Sequence, residues 1–114
     1  MNACRIINLE AGMPAAADAV ALLNREIRLA RRHGLPAVKL IHGFGSTGRG
    51  GKIRIAARRE LTALAARGYV KAIIPGEQFS IFDESTRLLL ARCGALRRDP
   101  DLDRHNNGVT FVLL

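Results

Sequence analysis

The sequence has few of the residues that stabilise small secreted proteins or that build aromatic binding platforms. It contains no tryptophan, one tyrosine and four phenylalanines, so aromatic residues make up 4% of the 114 positions. Its two cysteines, Cys4 and Cys93, form no CxxC pair, which predicts neither a zinc site nor a disulfide framework. We expect both to behave as small buried apolar side chains.

Long apolar runs are also missing. No run approaches the roughly 20 residues that a membrane helix needs, and the N-terminus lacks the charged and apolar regions of a signal peptide. The sequence therefore predicts a cytoplasmic protein with no membrane partner. Its length and its 48% hydrophobic and 25% charged fractions are typical of a single globular domain, here expected over residues 1–114.

Positive charge is abundant and unevenly distributed. Residues 1–75 contain thirteen basic and four acidic residues, a net charge of +9, whereas residues 76–114 contain five and six, a net charge of −1. This distribution predicts a positive field on one part of the molecule, which would attract a phosphate-rich polyanion. The alternative explanation is that the positive charge serves only solubility. The sequence leaves both explanations of the charge open at this point.

Apolar strands alternate with amphipathic helices along the chain. We expect strands at about residues 5–9, 37–41, 69–74 and 109–113. We expect helices at about residues 15–33 and 52–67, with a third ending near residue 92 after a cap at Asp83 or Ser85. This order, β-α-β-α-β-(α)-β, predicts an α/β fold, a two-layer α/β sandwich with a mixed four-stranded sheet.

The segment between the second strand and the second helix is rich in glycine. Five of the ten residues 42–51 are glycine, which lets several backbone N–H groups approach one anion. A Walker A loop is not formed, because Gly51-Lys52 is followed by Ile53 instead of a serine or threonine. The dinucleotide fingerprint also fails, because the GxGxxG at residues 43–48 follows the second strand and no acidic residue ends the next one. The segment predicts a phosphate-binding loop.

The second helix extends this predicted surface with basic side chains. A helical wheel places Lys52, Arg58 and Arg59 opposite the apolar stripe, with Arg54 beside them. The low aromatic content favours contact with the phosphate backbone over base stacking. The predicted phosphate-binding residues are Gly43, Gly45, Gly48, Arg49, Gly50, Gly51, Lys52, Arg54, Arg58 and Arg59.

His42 is the main catalytic candidate, because it ends the second strand beside the loop and can act as a general acid or base. A hydrogen-bonded role at the rim of the loop is the alternative. His105 would approach the same site if the last strand lies next to the second. Residues 99–103 have the DxDxD spacing of a calcium loop but lack its later glycine and carboxylate, so no metal site is predicted.

Residues 41–45, IHGFG, followed by residues 50–54, GGKIR, resemble the IHGxG…G…LR signature of the small MutS-related (Smr) domain family. Residues 108–113, GVTFVL, are similar to the last strand of that family, and the resemblance covers about residues 5–74 and 105–114. It implies a fold similar to the C-terminal domain of translation initiation factor three, with nucleic-acid binding and, in several members, endonuclease activity on branched DNA or on RNA. His42, Gly43 and Gly45 match its HGxG motif, and Arg54 matches its later basic residue.

Two departures from the family pattern bear on catalysis and on partners. The LDLHG motif of the family is replaced by residues 7–12, INLEAG, where an amide stands for the aspartate and the histidine is absent. Glu10 is the second catalytic candidate, because its carboxylate could partly replace the missing aspartate of the LDLHG motif. Residues 76–104 form an atypical insertion in place of a short connection, and we expect them to add a helix that covers a sheet edge or binds a partner.

The leading prediction is a nucleic-acid-binding, Smr-like domain that needs no cofactor, with DNA and RNA both open as ligands. The first alternative is a structure-selective endonuclease that uses His42 with Glu10 in support, for which Mg²⁺ is the expected cofactor. The second alternative is a protein-interaction module that binds a protein partner through residues 76–104.

Overall fold

The structure, a computed structural model, describes residues 4–44 and 49–114. Within these ranges strands and helices alternate as expected. The strands are β1 (Cys4–Asn8), β2 (Ala37–Ile41), β3 (Ala72–Pro75) and β4 (Val109–Leu113). The α-helices are α1 (Ala16–Arg32), α2 (Arg49–Ala66) and α3 (Glu84–Arg92), and two short 3-10 turns cover Gly76–Gln78 and Gly94–Arg98.

The four strands form one mixed sheet in the order β1-β2-β4-β3. Strands β1 and β2 are parallel, while β4 is antiparallel to both of its neighbours, β2 and β3. Ile41, the last residue of β2, therefore pairs with Asn8 at the end of β1 and with Val109 at the start of β4. This confirms the predicted α/β fold, and it brings the chain segments after β1, after β2 and before β4 to one end of the sheet.

Helices α1 and α2 pack on one face of the sheet, as a two-layer α/β sandwich requires. Alternate strand residues point to this face, where they meet the apolar stripes of the two helices. The main buried side chains of this layer are Ile7, Leu23, Ile27, Val38, Leu40, Ile53, Leu61 and Val112.

Residues 76–104, called the covering segment below, pack on the opposite face of the sheet rather than along an edge. Phe79 stacks on Phe111 of β4 with ring centroids 3.9 Å apart, and Leu89 of α3 is completely buried. The segment is ordered locally by Asp83, whose carboxylate accepts the N–H of Thr86 and so caps α3, one of the two predicted caps. The apolar side chains of β4 are therefore buried on both faces.

The two cysteines are brought together by this packing. Cys93, which ends α3, is completely buried, and Cys4 of β1 packs against the same cluster and interacts with its thiol. Burial, with the adjoining Cys93, raises the pKa of Cys4 to about 12, so this thiol stays protonated near neutral pH. This is consistent with the apolar behaviour expected of them.

Lys39, in the middle of β2, is a buried cation on the face that meets the covering segment. Its Nζ lies 2.9 Å from Asp99 Oδ2 and 2.6 Å from Asp101 Oδ2. Burial alone would lower the pKa of Lys39, but its hydrogen bonds to Asp101 and Asp99 and their negative charges raise it. Two of the three acidic residues that have the spacing of a calcium loop, Asp99 and Asp101, thus neutralise a lysine and fix the covering segment to the sheet.

Asp99→Ala is expected to lower the free energy of unfolding by about 3 kcal/mol, because it leaves a buried ammonium group with one carboxylate instead of two. Adding Lys39→Met to this variant should restore part of the loss, since the buried ammonium group is removed while Asp101 keeps its hydrogen bond from Asn106. Urea denaturation measures both changes, with the exposed Arg98→Ala as the control. A loss for Asp99→Ala no larger than that of the control would contradict this account.

Candidate functional site

The candidate site lies at the end of the sheet where β1 and β2 finish and β4 begins. Leu9 N–H donates to the carbonyl of Ile41 over 2.7 Å, which holds the turn after β1 against β2. The N–H groups of His42 and Gly43 both donate to the carbonyl of Gly108, each over 3.0 Å. Three separate chain segments are therefore fixed side by side, and we call this region the loop end of the sheet.

His42 is completely buried at the loop end, and both of its ring nitrogens have partners. Nδ1 lies 2.7 Å from the carbonyl oxygen of Gly43, and Nε2 lies 2.8 Å from Oγ1 of Thr110 on β4. A carbonyl oxygen only accepts hydrogen bonds, so the proton of the neutral ring is on Nδ1. Nε2 must then accept the hydroxyl proton of Thr110.

Arg58 of α2 continues this network instead of facing solvent. Its Nε donates to Thr110 Oγ1 over 3.1 Å, and its two terminal nitrogens donate to the two carboxylate oxygens of Glu77, each over 2.8 Å. The predicted outward position of Arg58 is therefore not observed. The reason is that the covering segment brings Glu77 next to this face of α2, and a bidentate carboxylate neutralises the guanidinium.

The environment of His42 keeps its ring uncharged. The pKa of His42 is lowered to about 4, mainly by burial and also by the positive charges of Arg58 and Arg54, against the opposing effects of the Gly43 hydrogen bond and of Glu77. The ring is thus neutral at pH 7 and exchanges protons only with its internal partners. This geometry matches the hydrogen-bonded alternative, and acid–base catalysis by His42 would first require its bond to Thr110 to break.

Glu10, the second catalytic candidate, lies in the turn after β1 and contacts the loop that follows β2. Gly43 has a φ of +74°, and the carboxylate of Glu10 lies against the position that a Cβ on it would occupy. The left-handed backbone conformation therefore favours glycine at position 43. The structure brings Glu10 against the residue that follows His42, whereas His105 is exposed and bonds through its ring to the backbone of Glu77.

The predicted phosphate loop is shorter than the glycine pattern indicates, because α2 begins at Arg49. Gly50 and Gly51 lie in its first turn, where backbone N–H groups have no partner within the helix. Gly45 and Gly48 lie outside the described residues. Of the basic residues next along the helix, Lys52 is exposed and Arg54 is half-buried.

Arg54 has a donor that the fold does not use. Its Nε is buried and has no hydrogen-bond partner among the described residues. Its charge nonetheless reaches the polar network, where it lowers the pKa of both His42 and Glu77. A buried N–H group without an acceptor is unfavourable, so this position favours an incoming oxygen atom.

The outer face of the helix layer carries exposed positive charge from both helices. Two of the three acidic residues on these helices have partners: Glu26 binds Arg5 at 2.9 Å, and Glu60 accepts from Asn24 of α1 over 3.0 Å, while Asp18 is exposed in the first turn of α1. We give the name basic face to six of the exposed cations on this layer: Arg25, Arg28, Arg32, Lys52, Arg59 and, directly after α2, Arg67.

The sequence predicted Lys52 and Arg59 of the basic face as phosphate-binding residues, but it did not predict Arg67 or the arginines of α1. Arg28 of α1 and Arg67 at the end of α2 line the same groove. Only the side-by-side packing of the two helices joins these residues, and nothing in the local pattern of α1 indicates it.

Nitrogen NMR of the histidine rings should show His42 as a neutral ring protonated on Nδ1 at pH 6, titrating near pH 4. Burial without an acidic partner is the physical reason, as described above. A ring that titrates near 6.5, its ordinary value, or that carries its proton on Nε2, would contradict the network.

Protein stability should also report this pKa. Unfolded histidine titrates near 6.5, so between pH 6.5 and about 4 the unfolded chain binds more protons than the folded one. The contribution of His42 is therefore complete above pH 6.5 and falls by about 3 kcal/mol as the pH decreases to 4. Urea denaturation at several pH values should show a weaker pH dependence for His42→Gln, while His33→Gln, at an exposed position, behaves as the parent. Equal slopes for the two variants would contradict the prediction.

Comparisons with known proteins do not identify a family or a function for this chain. No protein-family model, curated protein or solved structure matches the chain. Over residues 4–44 and 49–114, no three His, Cys, Asp or Glu side chains are grouped so as to hold a metal ion. Within the same ranges, every helix is too short or too polar to cross a membrane. The resemblance to the Smr family stays a prediction from the residues quoted for it.

Proposed function

We propose that this protein binds nucleic acid by contacting the phosphate backbone with its basic face and the loop end of the sheet. The observation that carries the proposal is that the helix layer presents six exposed cations, five on α1 and α2 and Arg67 directly after α2, while Glu26 is paired with Arg5 and Glu60 is hydrogen-bonded to Asn24. Such a surface attracts polyanions and binds them with displacement of their counterions.

The distribution of these cations favours a polymer over a small anion. Packed helices have axes about 8–10 Å apart, so cations on α1 and on α2 cannot all contact one phosphate group. A nucleic acid backbone presents a charge every few ångströms along its length and can contact several of them together. The ligand class that fits is therefore a polyanion with regularly repeated phosphates.

Arg54 and the first turn of α2 support the same ligand at the loop end. The buried Nε of Arg54 lacks an acceptor among the residues that the structure describes. A phosphate oxygen that reaches this side chain would supply that acceptor, and the first-turn N–H groups of α2, which have no partner within the helix, would add further donors. Lys52, exposed on the same turn, adds a full charge.

The endonuclease alternative rests on the position of Glu10, which lies against Gly43 and so beside the other catalytic candidate, His42. Cleavage assisted by Mg²⁺ would use both residues. It requires His42 to leave its bonds to Thr110 and Gly43, whereas binding requires no change in that network. We therefore place binding first.

The protein-interaction alternative rests on apolar side chains of the covering segment. Ile81, Phe82 and Leu88 are 47%, 85% and 51% exposed. This function predicts a protein partner whose binding survives nuclease treatment and high salt, conditions that remove or weaken binding to phosphate.

Charge-reversal variants distinguish the contribution of the basic face to binding from that of the net charge of the protein. The double variant Arg28→Glu/Arg59→Glu is expected to weaken binding to DNA and RNA alike by at least about tenfold, because every sequence presents the same phosphates to these two side chains. The slope of log K against log salt should also become shallower, by about 0.9 for each phosphate of duplex DNA that the variant no longer neutralises. Fluorescence anisotropy with labelled oligonucleotides at several salt concentrations measures both quantities.

Arg97→Glu/Arg98→Glu is the matched control, since it changes the net charge equally at exposed positions of the covering segment. Circular dichroism should show that both double variants fold. If the two weaken binding to the same extent, or if the parent protein binds independently of salt, the proposed surface is wrong.

A further inference from the structure

Phe44 is an aromatic side chain that neither core cluster uses. It lies at the loop end directly after Gly43, and its side chain is 55% exposed. A Cβ on Gly108 would lie 3.2 Å from its Cδ1, so part of the ring rests against the backbone of Gly108 while the rest faces solvent. Burial of a large apolar ring is favourable. More than half of Phe44 stays exposed to water, so this ring would be stabilised by contact with a ligand.

The backbone beside Phe44 is held firmly. The two preceding residues, His42 and Gly43, both donate their N–H groups to the carbonyl of Gly108. Gly108 is itself held by a hydrogen bond from its N–H to the side chain of Asn106 over 2.9 Å. The ring thus rests on a backbone platform that is already fixed, and its ordering on binding costs little entropy.

Positive charge lies in the first turns of α2, the helix that comes next along the chain after Phe44. The charge of Arg54 acts on His42, two residues before Phe44, and Lys52 is exposed on the same helical turn, while the carboxylate of Glu10 lies against Gly43. An exposed aromatic ring next to cations is the combination that binds single-stranded nucleic acid, in which a base stacks on the ring while the phosphates meet the cations. A purely apolar protein partner would leave these cations without a counter-charge.

We propose that Phe44 stacks on an unpaired base of the nucleic acid whose phosphates contact the basic face. This inference rests on the proposed function and narrows its ligand class to single-stranded or locally unpaired strands. In a paired duplex each base is covered by its neighbours, so no base face is open to the ring. The low aromatic content of the sequence favours backbone contact over stacking, but one ring in the right place is enough for one base.

The variant Phe44→Trp reports the contact directly through its fluorescence, because the chain contains no other tryptophan. Titration with a mixed-sequence single-stranded oligonucleotide should quench the fluorescence of this variant, whereas a blunt duplex of the same sequence should quench it much less. Phe82→Trp, at an 85% exposed position of the covering segment, is the matched control and should not respond. Equal responses at the two positions, or no quenching at position 44, would overturn the inference.

Phe44→Ala should weaken binding to the single strand by about 5- to 150-fold, the range expected from one base–aromatic stack, and leave binding to the duplex almost unchanged. Phe44→Leu separates stacking from apolar contact: it keeps apolar volume without a π face, so it should fall close to Phe44→Ala. Equal decreases in affinity for single strand and duplex would mean that Phe44 only shapes the loop, and would overturn the inference.

The outcomes for the two proposals are distinguishable. If reversal of Arg28 and Arg59 weakens binding but Phe44→Ala does not, the basic face is supported and the stacking contact is wrong. If the parent protein binds neither the single strand nor the duplex, the proposed function fails and the stacking contact fails with it.

Discussion

A directional chain of hydrogen bonds from Glu77 through Arg58 and Thr110 to His42 holds the loop end together. It connects the covering segment, α2, β4 and the loop after β2, which approach one another from both faces of the sheet. In the arrangement deduced above, each group donates to the next or accepts from it, and the carbonyl of Gly43 completes the series. Loss of one member would leave a buried polar group unpaired, which costs more than the bond itself contributes. The position of the loop is therefore coupled to both layers of the fold.

Much of the fold follows from local patterns in the sequence. Residues 37–41 and 109–113 are strands as predicted, because short apolar runs between turn residues leave few alternatives. Strand β3 begins later than predicted, since the N–H of Tyr69 donates to Leu64 and completes the end of α2 around Gly68, whose φ is +73°. Helix α2 begins earlier, at Arg49, because glycine in a first turn forfeits little: the N–H groups there have no helical partner in any case.

The site is harder to predict from the sequence than the fold, because the hydrogen-bond partners of its residues lie far away in the chain. The position of His42 beside a glycine-rich loop identifies it as a candidate, and the alignment of parallel strands brings Glu10 to the same end. The inward turn of Arg58 depends on Glu77, which belongs to a segment whose packing no local pattern specifies. The position of the Phe44 ring against Gly108 likewise depends on a contact between residues far apart in the chain. The low aromatic content of the sequence gives the number of rings and does not indicate where one of them lies.

The opposed placement of the helix layer and the covering segment gives the molecule a permanent electric dipole moment across the sheet. The helices α1 and α2 contain nine basic and three acidic residues, and the covering segment contains five basic and six acidic ones. Near a polyanion this moment experiences a torque that turns the cationic pole inward before any side chain makes contact. At physiological salt the turning acts within roughly 8 Å, one Debye length, so it selects the orientation of encounter rather than its frequency at long range.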